Sequence, residues 1–173
     1  TESPKADGTT PGSTAKPGTS AATGGSTPGT AAGTEMPTLT IAATEEGEDY
    51  QFDIPEDIET GWQRVVLDNS AAKLPHQVNI GRLRDGVTED QVKAILESDE
   101  PTSAAALVAA WIGGPNSVPA SEQGRGYINF DEPGKYVALC FISSPPDMEE
   151  HVTHGMWKVF DVTDSGKPAV TEP

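Results

Sequence analysis

From residue 37 onward the chain alternates short runs of β-branched, aromatic and aliphatic residues with clusters of Gly, Pro, Asn, Asp and Ser. That rhythm predicts a β-sandwich. Seven runs read as strands, over residues 39–43, 50–54, 64–68, 77–83, 126–130, 135–142 and 156–162. Within them the side chains alternate: Tyr50, Phe52 and Ile54 share one face, and Ile128 and Phe130 oppose Tyr127 and Asn129. Such a period of two predicts half-buried antiparallel strands. One stretch follows a different period. Thr88-Glu89-Asp90-Gln91 has the form of a capping box, and Val92, Ile95 and Leu96 follow at the spacing of one helical face, so a helix is expected from residue 88 to about residue 98, ahead of Pro101. The alanines of 103–111 predict a second short helix, stopped by Gly113-Gly114-Pro115. The expectation is an all-β domain with a helical insertion between its middle strands.

The first 36 residues change that picture only by leaving it. Thirty of them are Thr, Ser, Gly, Ala or Pro, so they carry almost no apolar surface to offset the entropy of ordering the chain. Residues 1–36 are expected to be a disordered linker with extended polyproline-type segments and hydroxyls open to O-glycosylation. Residues 37–173 are expected to form a single domain with one core.

The formal net charge is −16. The linker contributes three acids and two bases, which leaves the domain at −15. Nucleic acid is excluded as a partner, because phosphate binding needs a basic footprint. The acidic surface fits a solvated face, a cationic partner or a salt-adapted source. No apolar run is long enough to span a bilayer, and the sequence opens directly in the linker. This architecture predicts a mature, monomeric, extracytoplasmic protein, secreted or tethered to a membrane or wall, with a leader removed ahead of Thr1. Trp62 and Trp111 are expected to pack in or over the core.

A lone cysteine in an exported chain needs an occupant, since it has no intramolecular disulfide partner. Cys140 ends the run Asp131-Glu132-Pro133-Gly134-Lys135-Tyr136-Val137-Ala138-Leu139-Cys140, and a loop then leads to His151-Val152-Thr153-His154-Gly155-Met156. Thiolate, imidazole and thioether brought together form a donor set suited to copper, and a trigonal His₂Cys site with a weak axial Met needs a second imidazole. One further histidine exists, His76, in Pro75-His76-Gln77-Val78-Asn79-Ile80. His154 competes with His151, and Met148 is an alternative to Met156.

In the early Pro75-His76, the turn Pro133-Gly134-Lys135-Tyr136 into a strand ending at Cys140, and His151 with Met156 five positions later, the sequence resembles the cupredoxins, plastocyanin and halocyanin-like blue copper proteins in particular. The resemblance spans most of residues 37–163. It implies a Greek-key β-sandwich holding one copper ion (Cu2+/Cu+) through His76, Cys140, His151 and Met156. It also implies a one-electron carrier that meets a redox partner protein and catalyses no reaction itself. Two features depart from the plastocyanin pattern: the helical insertion, and the ten residues between Cys140 and His151, a longer loop of the kind found in copper nitrite reductase domains. Other uses of the same residues stay open: a copper-delivery protein exchanging metal with a donor or acceptor, a metal-free surface module, a nucleophilic-cysteine enzyme, and a zinc site.

Overall fold

The computed structural model describes residues 35–98, 100–146, 148–167 and 172–173. The expected linker lies outside the described residues except for Glu35 and Met36. Among the described residues nine strands form two sheets: β1 (Thr38–Glu46), β2 (Asp49–Asp53), β4 (Gly61–Asp68) and β7 (Gln123–Phe130) in the order β2-β1-β4-β7, and β3 (Ile58–Glu59), β5 (Asn79–Leu83), β6 (Val108–Gly113), β8 (Gly134–Leu139) and β9 (Trp157–Thr163) in the order β3-β9-β8-β5-β6. The period of two sends Leu39, Ile41, Val65, Leu67, Ile128 and Phe130 from one sheet, and Ile80, Tyr136, Ala138, Phe160 and Val162 from the other, into one shared core. That is the sandwich the alternation predicts.

Not every pair is antiparallel. β1 runs parallel to β4, and β3 parallel to β9. Both pairs join strands that are not consecutive in the chain, because the segment between them crosses to the opposite sheet, and alternation along one strand carries no information about its neighbour's direction.

The helical insertion lies between β5 and β6. Helix α1 (Glu89–Leu96) opens at Thr88, whose hydroxyl accepts from the Gln91 backbone N–H while the Gln91 side chain accepts from the Thr88 N–H. The second expected helix is corrected: a 3-10 helix covers Pro101–Leu107, but 108–113 is strand β6. Pairing with β5, together with Val108, Trp111 and Ile112, outweighs the helix propensity of Ala109 and Ala110. Trp111 is 45% exposed and lies over Gly81 of β5, where an added Cβ would meet its ring at 3.0 Å. α1 and the 3-10 helix cover the outer face of the second sheet: Val92, Leu96 and Ala104 pack with Leu83, Val137, Leu139 and Val159. Strand β8 is thus buried on both faces, Tyr136 and Ala138 inward and Val137 and Leu139 under the insertion.

Candidate metal centre

Register brings the sequence-predicted residues together. Leu139, the last residue of β8, lies opposite both Trp157, the first of β9, and Asn79, the first of β5. Three adjacent strands therefore begin or end at one edge of the sandwich, and the residues just beyond them are Cys140, Met156 and the segment 76–78. The predicted strands 77–83, 135–142 and 156–162 are each shorter than expected at this edge. Here the chain leaves the sheet to present side chains. Cys140 N–H donates to the Met156 carbonyl at 3.1 Å, and His76 is held in a two-way backbone pairing with Val118.

The long loop after Cys140 is absorbed locally. Ser143 pairs with Glu150, and the His151 N–H donates to the Ile142 carbonyl at 2.8 Å. Most of the ten residues are thereby pinched off, and His151 returns to the cysteine's side. A 3-10 helix over His151–His154 follows and ends at Gly155, with φ +89°. Glycine adopts that left-handed conformation without steric cost. Its turn brings Met156 back into the core, where its N–H donates to the His151 carbonyl at 3.0 Å.

The geometry of the donors is compact. His76 Nδ1 and His151 Nδ1 lie 2.9 Å apart, Cys140 Sγ is 3.6 Å from His151 Nδ1, and it is 3.9 Å from His76 Nδ1. A point equidistant from these three atoms lies about 2 Å from each, within the roughly 2.0–2.3 Å of metal bonds to imidazole nitrogen and thiolate sulfur. The donor types and spacing fit a copper ion. His76, Cys140, His151 and Met156 are all buried, and Met156 packs in the same core cluster as Cys140. His154 stands outside the triangle: its ring lies 5.3 Å from that of Tyr50, and its Nε2 is 3.8 Å from a Glu149 carboxylate oxygen. Met148 is 61% exposed.

Electrostatics favour the neutral imidazole at His76. Burial pulls its pKa down, and the Glu45 carboxylate only partly offsets this. Burial pushes the Cys140 thiol up, against the backbone N–H groups of Gln77 and Ile142 that favour the thiolate. The Gln77 N–H donates to Sγ at 3.5 Å. A buried thiol raised in this way is held as thiolate by a bound cation.

Three supporting residues escaped the sequence reading. Glu45, near the end of β1, accepts from His76 Nε2 at 3.0 Å. Burial pushes its pKa up, but hydrogen bonds from Leu74, His76 and Lys73 outweigh that and hold it below the usual carboxylate range. Nothing in the acidic run 45–49 distinguishes it from its neighbours. Asn69 is buried, and its Nδ2 reaches the carbonyls of Leu74, Val118 and Pro119 at 2.9–3.1 Å, which fastens the loop leading to His76. The turn signal Asp68-Asn69-Ser70 marked the place but not the role. Tyr50 sets its ring edge-on to His151 at 4.8 Å and to His76 at 5.9 Å, and with His154 it lines a surface cleft shared with Lys93, Glu97 and Trp157.

Neither a family model nor a curated protein matches the chain. Among solved structures it is similar to a dithionite-reduced auracyanin from the photosynthetic bacterium Roseiflexus castenholzii, 23% identical, covering 73% of this chain and 96% of that one, with a TM-score of 0.45. Auracyanin A, described as a "blue" copper protein from Chloroflexus aurantiacus, is 17% identical over 73% and 98% of the two chains, with a TM-score of 0.45. Rusticyanin from Thiobacillus ferrooxidans is 15% identical over 73% and 76%, with a TM-score of 0.44.

Proposed function

We propose that this chain is a blue copper protein of the cupredoxin type, a one-electron carrier working outside the cytoplasm, whose metal would be held by His76 Nδ1, Cys140 Sγ, His151 Nδ1 and the Met156 thioether. The two-sheet sandwich with His, Cys, His and Met at one edge is what the resemblance to the cupredoxins implied. The observation that carries the reading is the donor triangle, two imidazole nitrogens and one sulfur about 2 Å from a common point, a separation proper to metal bonds.

Bound copper supplies one-electron exchange between Cu(II) and Cu(I). The protein's part is to hold the donors still: the His76–Val118 pairing, the Ser143–Glu150 pairing and the sheet edge fix all three, so the same arrangement serves both oxidation states. Burial excludes water and competing ligands. It also supports a carrier over a copper-delivery protein, which needs an open site. A thiol fully buried and with a raised pKa is poorly suited to nucleophilic catalysis. The Tyr50 ring contacts both imidazoles and lines the surface cleft, where a redox partner would approach.

Placement outside the cytoplasm rests on the Thr/Ser/Gly/Pro-rich segment 1–36, read as a tether, and on a single thiol that the metal protects. No helix among the described residues is long and apolar enough to cross a membrane.

The test is the visible spectrum during titration with Cu(II). An intense thiolate-to-copper band in the wild type, lost in Cys140→Ala, is the expected result. Folded wild-type protein that takes up no copper, or takes it up without that band, rules the reading out.

A further inference from the structure

Glu45 is placed to do more than fasten a loop. Its Oε1 is the acceptor for three donors, the backbone N–H of Lys73 at 3.0 Å, that of Leu74 at 2.9 Å and Nε2 of His76 at 3.0 Å. The Glu45 side chain is 8% exposed and that of His76 is 0% exposed. A carboxyl oxygen that accepts three hydrogen bonds is stabilised in its ionised form, because each donor favours the charge. An imidazole that gives its Nδ1 lone pair to a metal keeps its proton on Nε2, and Glu45 receives that proton's hydrogen bond. The arrangement fixes the tautomer and the rotation of the ring. It also sets a negative charge directly behind one of the three donors, in a region where little water screens it.

Charge at that place does not act equally on the two oxidation states. A carboxylate behind the imidazole makes the nitrogen a stronger donor and interacts more favourably with a doubly than with a singly charged ion. Resting on the copper reading above, we propose that Glu45 is a positioning residue that biases the site toward Cu(II), and so holds the reduction potential below the value a neutral acceptor at the same position would give.

The charge is separable from the pin. Glu45→Gln keeps an oxygen acceptor and nearly the same shape while removing the charge. Wild type and Glu45→Gln are titrated with Cu(II), and with Cu(I) against a competing chelator, and their potentials are measured spectroelectrochemically. In the variant, Cu(II) affinity is expected to fall about tenfold, with Cu(I) affinity changed less. A full tenfold change in the ratio raises the one-electron potential by about 59 mV. Equal weakening of both states, with the potential unmoved, overturns the inference and leaves Glu45 as a loop pin. Failure of the wild type to bind copper sinks the copper reading itself, a distinct result. Should the variant not fold, ¹⁵N NMR of the wild-type Cu(I) protein decides: a His76 proton on Nε2, protected from solvent exchange, is expected, and an unprotonated or freely exchanging Nε2 overturns the proposal.

Discussion

At the scale of single residues, the architecture rests on a few buried polar groups with specific partners. Tyr136 is one: its ring is buried, and its hydroxyl donates to the Glu132 carbonyl at 2.7 Å. Burial, and then the charge of Asp131, push its pKa above the ordinary value. Because the folded pKa lies above the unfolded one, the unfolded chain gives up this proton first. The stabilisation is complete below about pH 10 and is lost as pH rises through the folded pKa. Tyr136→Phe should lower stability by about 1 kcal/mol near neutral pH, with the difference shrinking in strong alkali. Urea midpoints for both proteins at neutral and alkaline pH check this. Asn69→Ala should cost about 1–3 kcal/mol through the three hydrogen bonds of its buried side chain, the one to the Leu74 carbonyl above all, and should loosen His76. Denaturant midpoints, and copper affinity in parallel, are the readouts.

At the scale of elements, the two departures from a plain sandwich have different consequences. The insertion is structural: without α1 and the 3-10 helix, Val137, Leu139 and Val159 on the outer face of the second sheet would meet water. Leu96→Ala should therefore destabilise the domain by about 2–5 kcal/mol, and Thr88→Ala, which removes the helix cap, by about 1 kcal/mol. Urea unfolding measures both. The long ligand loop, by contrast, is closed off by the Ser143–Glu150 pairing. Replacing residues 144–149 with a two-residue hairpin turn should leave the donor triangle in place. An unchanged copper spectrum in the shortened protein is the expected outcome, and a shifted or absent band would show that the loop itself shapes the site.

At the scale of the whole molecule, the proposed metal binding is coupled to folding, because the proposed donors come from segments more than sixty positions apart, His76 and Cys140 among them. They meet only in the folded chain. A ligand that binds the folded state alone stabilises it by about 2.7 kcal/mol at a hundred times its Kd. Copper should accordingly raise the Tm of the wild type, and Cys140→Ala should lose most of that rise. Calorimetry with and without metal tests it.

Much of this was written in the sequence. Alternation of apolar and polar positions is a local property, so the sandwich, the inward faces of the predicted strands and the capped helix could be read from neighbouring residues. The lone cysteine between an early and a late histidine was equally legible, because that donor chemistry uses few residue types. The tertiary structure decided what depends on partners distant in the chain. Residues 108–113 became a strand because β5 offered an edge, β1 paired in parallel with β4 because the chain crosses between sheets, and Glu45, one acid among many, gained its role because folding carries it to the far nitrogen of His76. His151 rather than His154 entered the triangle because the Ser143–Glu150 pairing sets where the returning chain resumes. Local pattern fixes which face of an element is buried; only packing fixes which elements, and which of several like side chains, come to lie against each other.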